Sequence, residues 1–554
     1  MGKVLNRIKE KTSRLDAWLF LSWVLIFMLC IFEPLNMYFV NMDQYEFDFY
    51  KLLPICLVMA LLFFFIALLY GTLILVTPIS DKLLHISCTA GSILFLALYI
   101  QGNFFAGSLP VLDGSVINWN DYSLEKIQSA VIWIAVASII IFFAVRLKRD
   151  LFFKGVRYAS MGIFGVLLLT MITVGLQNGG FKHRSLHAIT TEGEWEYSTD
   201  RNVIILVLDA VDEGVEMSVL KDNPEYQAAY SDFTFYENVV GSYPFTKYAL
   251  PFFMSGEWFE LDEDYEDYSV RALTESGLIS RLREEDYNLG IYTDEISRHS
   301  DDMLIYSNIR QDPCKIISYV RFCKALLKFV CFKYLPYGLK DRLNIWYSEL
   351  NELIDAGEYE KIRFLRSNKR FFEALNERGI TYTESKSFKL IHIEGGHVPF
   401  IYTKDMEVVE KTDYYTCVEA ANTIAVKYLD RLKESGVYDN SVIIIISDHG
   451  LNRVNDKNPM DRHHPILMVK GIGEHGNGMK YLDYPISQED YVTAFVRLAD
   501  GKGASEMFEG NETEERDRRY IYTETEEDKN FIEYILPKGA FAGDELVQTG
   551  IKYD

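Results

Sequence analysis

Acidic and histidine side chains follow, within a few residues, short apolar runs in the part of this 554-residue chain beyond residue 200. They are Asp209, His397 and the pair Asp448–His449. Carboxylate and imidazole groups are the usual ligands of a divalent metal in an open catalytic site. Gly450, next to the pair, lets the backbone bend and bring both side chains to one centre. The pattern predicts metal-assisted chemistry, although Asp209 alone could equally cap a following helix.

The remaining histidines of interest have other surroundings. His463 and His464 precede an apolar run and are compatible with either a site or an exposed loop. We expect His392, inside an apolar run, to be a core residue. His475 in a glycine-rich loop is expected to face solvent, and His85 near the end of an apolar segment to be interfacial.

A nucleophile is predicted at Thr246, within the segment 241–256. This segment begins with turn-forming polar residues and ends in an apolar stretch typical of a helix. Thr246 would then lie near a helix N-terminus, where free N–H groups and the helix dipole favour an anion such as an attached phosphate. A divalent cation would make its hydroxyl oxygen a usable nucleophile. Thr246 could otherwise serve only as the helix N-cap.

For these residues to form one site, the strands that precede them must end at the same edge of a sheet. Apolar β-rich runs occupy 203–208, 289–293, 388–394, 442–446 and 465–469. Amphipathic helical stretches, for example 362–378 and 414–434, separate them. Such alternation predicts an α/β domain with a mostly parallel sheet flanked by helices. In these sheets ligands bind beyond the carboxyl ends of the strands.

The N-terminal part of the chain predicts a five-helix transmembrane region over residues 1–176, with spans at about 17–36, 53–76, 83–101, 128–145 and 158–176. The first span lacks a small-residue cleavage site, so we do not expect a cleaved signal peptide. A tether is predicted at 177–200 and a catalytic domain at 201–554. The spans carry few ionisable residues, which disfavours a transporter or channel.

Basic residues set the expected orientation. They are concentrated at the N-terminus and between spans four and five, whereas the loops after spans one and three are acidic or neutral. By the positive-inside rule the N-terminus is cytoplasmic, so five crossings place the C-terminal domain outside a cell membrane. The net charge of −23 argues against nucleic acid or an anionic lipid surface as partner of the bulk surface.

The seven cysteines include no CxxC pair, so a zinc cage or thioredoxin-like site is not predicted. A disulfide among Cys314, Cys323 and Cys331 is possible in an exported domain, as are free thiols. The state of Cys417 stays open.

Four of these motifs together resemble the alkaline phosphatase superfamily, with its sulfatase-like domains. The closer resemblance, over almost the whole chain, is to lipoteichoic acid synthase and the phosphoethanolamine transferases. The motifs are the strand ending at Asp209, Thr246 five residues before Pro251, Gly-Gly-His-Val-Pro-Phe around His397, and Ser-Asp-His-Gly ending at Gly450.

The resemblance implies one divalent metal, Mn²⁺ or Zn²⁺ with Mg²⁺ also compatible, held by Asp209, Thr246, Asp448 and His449. It implies transfer of a phosphoglycerol- or phosphoethanolamine-type group from a membrane phospholipid through phospho-Thr246 to a cell-surface glycan or polymer. His397 would contact the transferred or leaving group. The residues implied to bind substrate are Arg298, His299, His463 and His464.

The chain also departs from these families. Lipoteichoic acid synthase has glutamate where Asp209 stands, and sulfatases have a second aspartate where Ala210 stands, with Asp212 further on. No Cys-x-Pro-x-Arg context for formylglycine is present, which disfavours sulfate chemistry. A phosphodiesterase- or sulfatase-type hydrolase and a non-catalytic binding protein on the same fold stay open as alternatives.

Overall fold

The computed structural model describes residues 2–77, 79–105, 109, 117–184, 187–311, 315–343, 345, 348–355, 364–451, 462–513, 516–525 and 530–553. The chain forms two compact units. The first comprises Met1–Leu186 and Pro313–Gly357, and the second comprises His187–Asp312 and Glu358–Asp554. Residues 313–357, which lie inside the predicted catalytic domain, thus belong to the unit of the apolar helices. Cys314 lies outside the described residues, and Cys323, Cys331 and Cys417 are free thiols.

The α-helices follow one another as α1 (Gly2–Phe27), α2 (Glu33–Val40), α3 (Phe49–Leu75), α4 (Ser80–Phe104), α5 (Ser123–Arg146), α6 (Arg149–Gln177), α7 (Glu213–Asp222), α8 (Pro224–Ala229), α9 (Thr246–Ser255), α10 (Tyr265–Thr274), α11 (Gly277–Glu284), α12 (Tyr319–Tyr334), α13 (Tyr337–Lys340), α14 (Asn368–Glu377), α15 (Tyr414–Glu434) and α16 (Tyr491–Ala499).

The β-strands are β1 (His187–Ile189), β2 (Glu196–Ser198), β3 (Asn202–Leu208), β4 (Thr234–Tyr236), β5 (Val239–Val240), β6 (Asn288–Tyr292), β7 (Ile309–Gln311), β8 (Lys315–Ile316), β9 (Ile354–Asp355), β10 (Thr381–Thr383), β11 (Ser387–Ile393), β12 (Ser441–Ile446), β13 (Leu467–Lys470), β14 (Lys480–Leu482), β15 (Ile486–Ser487), β16 (Arg518–Tyr522), β17 (Phe531–Leu536) and β18 (Val547–Tyr553).

The first unit contains five helices that are long and apolar enough to cross a membrane: Thr12–Val40, Phe49–Leu75, Ser80–Phe104, Ser123–Arg146 and Arg149–Gln177. The five predicted spans are therefore confirmed as helices. A π-helical turn at Met28–Phe32 joins α1 to α2 in the first of them. Large apolar side chains such as Leu61 and Ile134 are exposed on these helices. Apolar residues on all sides of a helix are typical of contact with lipid.

The second unit is built on a seven-stranded sheet with the order β14-β4-β13-β12-β3-β11-β6. The four consecutive strands β12, β3, β11 and β6, of which β6 is the edge strand, are mutually parallel, and β13 runs antiparallel to β12. Every residue of β3, β11 and β12 is buried, because these apolar runs lie in the middle of the sheet with covering on both faces. The predicted α/β fold is confirmed.

The register of the parallel strands decides where the site lies. Leu208 of β3 pairs with Ile393 of β11, and Val207 pairs with Ile446 of β12. The residues that follow these three strands therefore emerge at one edge of the sheet, as parallel pairing requires. At this edge lie the turn after Asp209, the Glu394–His397 loop and the Ser447–Gly450 segment.

Candidate active site

Thr246 is the first residue of α9 and is buried. Its Oγ1 donates a hydrogen bond of 2.5 Å to Asp448 Oδ2. The N-cap position belongs to Phe245, which makes no side-chain capping bond. The hydroxyl of Thr246 therefore points to a carboxylate of the site and does not cap its own helix.

His449 offers its Nε2 atom to the same centre. Its Nδ1 lies 2.8 Å from the carbonyl oxygen of Gly450. A carbonyl can only accept, so Nδ1 carries a proton, and in the neutral imidazole Nε2 is then the atom with a free lone pair. Nε2 lies 3.5 Å from Asp448 Oδ2 and 3.7 Å from Asp209 Oδ1. The four residues of the predicted ligand set are thus neighbours.

His392 also reaches this centre. It is fully buried, as a core residue would be, but each of Asp209, His392 and Asp448 offers a ligand atom within 4.8 Å of the others. Its Nδ1 lies 3.0 Å from Thr293 Oγ1, and its Nε2 lies 3.6 Å from Asp209 Oδ2. The expectation of a purely structural role for His392 is therefore incomplete. Its position one residue before the end of β11 was the available signal.

The donor set fits a divalent cation. Asp209 and Asp448 are both buried, and among the described residues Asp209 Oδ1 and His392 Nε2 have no hydrogen-bond partner. Burial opposes ionisation of Asp209, yet the His392 contact and the nearby His397 and His449 together hold its pKa well below the usual range of an aspartate. Two buried carboxylates beside imidazole and hydroxyl donors suit Mn²⁺, Zn²⁺ or Mg²⁺.

Arg366 neutralises the other side of Asp209, and sequence reasoning did not identify it. Its Nη1 donates to Asp209 Oδ2 at 2.9 Å, its Nε to Asp294 Oδ1 at 2.7 Å and its Nη2 to Glu295 Oε1 at 2.6 Å. Burial alone would lower the pKa of this guanidinium, but Glu295, Asp209 and Asp294 raise it above its ordinary value. Arg366 is therefore a fixed cation bound to Oδ2 of Asp209. Oδ1 of Asp209 stays available to a second cation.

The turn after β3 is held in a strained conformation that serves Asp448. Ala210 has φ of +57°, a left-handed conformation uncommon outside glycine. Its N–H donates to Asp448 Oδ1 at 3.2 Å, and its carbonyl accepts from the Tyr414 hydroxyl at 2.7 Å. Asp212, the next carboxylate, caps α7 through Val215 N. Ala210 thus positions Asp448 through its backbone.

Two loops complete the support of the site. The side-chain amide of Asn368 donates to the Gly395 carbonyl and accepts from the Gly395 N–H, both at 3.0 Å. The main-chain N–H of Asn368 donates to Glu394 Oε2. Ser447 Oγ donates to the Val211 carbonyl at 2.6 Å, tying β12 to the turn after β3. His397 is exposed beyond Gly395, with Nδ1 2.7 Å from the Val398 carbonyl.

The predicted substrate residues occupy different surroundings. His464 is buried, with Nε2 3.2 Å from the Glu237 carbonyl and Nδ1 3.6 Å from Glu213 Oε2. His463 is also buried, and its ring lies 6.0 Å from that of Tyr520. The Arg298 carbonyl accepts a 2.9 Å bond from His187 N.

The other histidines are placed as follows. His299 donates its N–H to Ser297 Oγ. His475 is largely exposed and lies 3.5 Å from Asp439. His85 lies 3.1 Å from the Ala144 carbonyl, between two apolar helices.

Comparison with known proteins gives structural matches alone: no family model and no curated protein matches the chain. A protein in the alkaline phosphatase superfamily from Vibrio parahaemolyticus is 15% identical, with a TM-score of 0.35 over 64% of this chain and 80% of that one. The C-terminal periplasmic domain of phosphoethanolamine transferase EptC from Campylobacter jejuni is 13% identical, with a TM-score of 0.30 over 56% and 92%. The corresponding Escherichia coli domain in complex with Zn is 13% identical, with a TM-score of 0.34 over 66% and 96%.

Proposed function

We propose that this protein is a metal-dependent phosphotransferase that moves a phospho head group from a membrane phospholipid to Thr246 and then to a cell-surface glycan or polymer. The observation that carries the proposal is the 2.5 Å hydrogen bond from the Thr246 hydroxyl to Asp448, beside the donor atoms of Asp209 and His449. A threonine used only for helix capping would not direct its hydroxyl into a carboxylate–imidazole cluster.

The metal would be held by Asp209, Thr246, Asp448 and His449. When bound, a divalent cation supplies the positive charge that favours loss of the threonine proton and neutralises phosphate oxygens. The proton of Thr246 leaves along its hydrogen bond to Asp448. Thr246 Oγ1 then attacks phosphorus, a P–O bond to threonine forms, and the P–O bond to the lipid glycerol breaks.

His397 is the proposed acid and base of the two steps. It is exposed at the rim of the site, where it can meet the leaving and the entering group. In the first step it gives a proton to the departing diacylglycerol oxygen. In the second it takes the proton of the acceptor hydroxyl as this attacks phospho-Thr246. The P–O bond to Thr246 then breaks, and Asp448 returns its proton to Thr246 Oγ1, which restores the starting state. Arg298, His299, His463 and His464 are kept as proposed substrate contacts.

The phosphorylated intermediate would be stabilised by its position. Thr246 begins a ten-residue helix, and the first N–H groups of a helix lack intrahelical acceptors. These groups and the positive end of the helix dipole favour a phosphate on the first residue.

The apolar helices explain why a lipid is the proposed donor. A catalytic unit tethered to five spans meets lipid head groups at a high effective concentration. The distribution of basic residues supports a cytoplasmic N-terminus, so we propose that the second unit, which includes residues 187–200 of the predicted tether 177–200, is extracytoplasmic. Diacylglycerol released in the first step would stay in the bilayer.

The test uses the full-length protein in lipid nanodiscs with Mn²⁺ and fluorescent phosphatidylethanolamine or phosphatidylglycerol. We expect diacylglycerol release from one donor and a phospho head group on Thr246 by mass spectrometry. Thr246→Ala should lower turnover by roughly a thousand-fold or more, whereas Thr246→Ser, which keeps a hydroxyl, should retain part of it. Equal turnover by wild type and Thr246→Ala would replace the covalent route by hydrolysis with activated water. Release from a sulfate ester only would exclude the phosphotransferase.

A further inference from the structure

Residues 315–340 have a charge pattern opposite to that of the whole chain. They contain Lys315, Arg321, Lys324, Lys328, Lys333 and Lys340 and no acidic residue, although the net charge of the protein is −23. Three of these cations are engaged inside the first unit: Lys328 pairs with Glu349, Lys333 with Glu33, and Lys340 donates to main-chain carbonyls. Lys315, Arg321 and Lys324 are exposed and make no ion pair within the described part of the chain.

Helix α12 is attached to one end of the helix bundle of the first unit. Its buried residues Phe322, Leu326 and Val330 belong to the same apolar core as spans one to three. Lys333 Nζ binds both carboxylate oxygens of Glu33 at 2.8 Å, and the Tyr334 hydroxyl donates to the same carboxylate. These bonds fix the register of α12 against the bundle.

The contacts identify which end of the bundle this is. Tyr334 packs against Gly102 in the last turn of α4, and the N–H of Tyr337 donates to Ser129 near the start of α5. The ring of Phe322 lies 5.3 Å from that of Phe47, just before α3 begins. Spans one and three end here and spans two and four begin here. It is the end opposite the N-terminus of the chain.

The side of this segment that faces away from the bundle is apolar as well as basic. Ile317 is 60% exposed, Tyr319 63% and Val320 80%. Arg321 and Lys324 follow directly and are exposed. Exposed aliphatic and aromatic side chains next to unpaired cations, at the end of a helix bundle that crosses a membrane, are what an anionic bilayer surface would accept.

We propose that residues 315–324, here called the interfacial segment, insert into the bilayer surface on the side opposite the N-terminus. Ile317, Tyr319 and Val320 enter the boundary between head groups and acyl chains, and Lys315, Arg321 and Lys324 bind the phosphates of anionic lipids. The acidic bulk surface is repelled by such lipids, so this segment provides the local attraction. The occupant is the lipid bilayer itself.

Insertion is tested with a spin label at Val320→Cys in full-length protein in nanodiscs, with Cys314, Cys323 and Cys331 changed to serine. The control label is at Lys369→Cys on α14, whose side chain is 57% exposed. We expect the Val320 label to collide several-fold more with O₂ than with a water-soluble nickel chelate, and the Lys369 label to show the reverse. Equal accessibility of both labels to nickel would overturn the proposal. If the Val320→Cys protein aggregates, the same measurement is made with the spin label at Tyr319→Cys.

Head-group binding is tested by comparing nanodiscs of phosphatidylcholine with and without phosphatidylglycerol. The O₂-to-nickel ratio at Val320 should rise when phosphatidylglycerol is present. The charge reversal Lys315→Glu, Arg321→Glu, Lys324→Glu should remove this rise, and Lys369→Glu with Lys433→Glu should leave it intact. An unchanged ratio in the two lipids for the native sequence would show that the cations do not bind anionic head groups.

Discussion

The two carboxylate oxygens of Asp209 have different partners. Oδ2 is bound by Arg366 and Oδ1 faces His449 and the centre of the site. A permanent guanidinium on one side keeps the carboxylate ionised and fixes its rotation, so that the other oxygen keeps the direction a metal ligand needs. This arrangement favours a single divalent ion beside a fixed organic cation.

Replacing Arg366 tests whether it orients Asp209 for a metal ion or only stabilises the fold. Arg366→Gln should lower metal affinity by about 10–100-fold and destabilise the fold by about 3 kcal/mol, because three carboxylates lose their shared partner. Isothermal titration with Mn²⁺ and thermal unfolding measure the two effects. The matched control is Arg370→Gln, which removes a bidentate pair with the buried Glu194 at 2.9 and 2.8 Å. It should lose stability without losing metal affinity. Equal metal affinity in all three proteins would contradict the positioning role of Arg366.

Gly395 is needed at its position because the backbone of Asp209 approaches it closely. Its φ is +54°, and a Cβ there would lie 2.6 Å from both the N and O atoms of Asp209. Gly395→Ala should therefore displace Asp209 and abolish metal binding and turnover. Gly436→Ala is the control, since its φ is +76° but nothing lies within 4 Å of the added Cβ. It should cost only about 1–2 kcal/mol of backbone strain. Full metal binding by Gly395→Ala would show that the loop can move aside.

The sequence predicted Asp209, Thr246, Asp448 and His449 because each follows a strand end or begins a helix, and the structure brings them together. His392 and Arg366 were not predicted for physical reasons. A histidine within an apolar run has the pattern of a core residue, and its nearness to the carboxyl end of the run was the one signal for a role in the site. Arg366 precedes α14 without any local motif, and only the fold brings its guanidinium to Asp209.

At the scale of elements, α7 and α15 share a buried carboxyl that is not part of the site. Glu216 on α7 is fully buried, and Asn422 on α15 donates to its Oε2 at 2.8 Å. Burial raises the pKa of Glu216 to about 7 from an ordinary 4.5, despite the Asn422 bond. The neutral form is thus favoured in the folded protein.

The consequence for stability has a definite sign. A carboxyl whose pKa is higher in the folded state contributes stability below the ordinary value, and this contribution is lost as pH rises from about 4.5 through about 7. Glu216→Gln removes the ionisable group. The free energy of unfolding should therefore rise by about 3 kcal/mol at pH 8 and change little near pH 4.5. Thermal unfolding at both pH values measures this, with the exposed Glu373→Gln as control. An equal rise in the free energy of unfolding at both pH values would contradict a protonated Glu216 in the folded protein.

Strand patterns predicted which runs form strands better than the direction in which each strand lies in the sheet. The runs that became β3, β11 and β12 are continuous and apolar, as strands covered on both faces are. The direction of β13 was not predictable, because an apolar run contains no information on whether it pairs parallel or antiparallel. The histidines before it therefore lie near the carboxyl end of β12.

At the scale of the whole molecule, the two compact units are interleaved in sequence. The second unit begins at His187, and residues 313–357 return to the first unit before the chain completes the second. The sequence predicted one linear boundary near residue 200. An amphipathic helix such as α12 has the same pattern whether its apolar face covers a sheet or packs on membrane helices, so only the fold could decide.

This interleaving predicts how a fragment without the spans behaves. In residues 187–554 alone, Phe322, Leu326 and Val330 lose the helices they pack on, each exposing side-chain surface that contributes about 2 kcal/mol when buried. We expect this fragment to bind a hydrophobic dye and to self-associate on size-exclusion chromatography. The same fragment with residues 313–357 replaced by a flexible glycine–serine linker should elute as a monomer, bind little dye and keep its affinity for Mn²⁺, because every proposed metal donor lies in the second unit. A monomeric, dye-free 187–554 fragment would mean that α12 can cover its apolar face without the membrane helices, and the segment would then belong with the sheet domain after all.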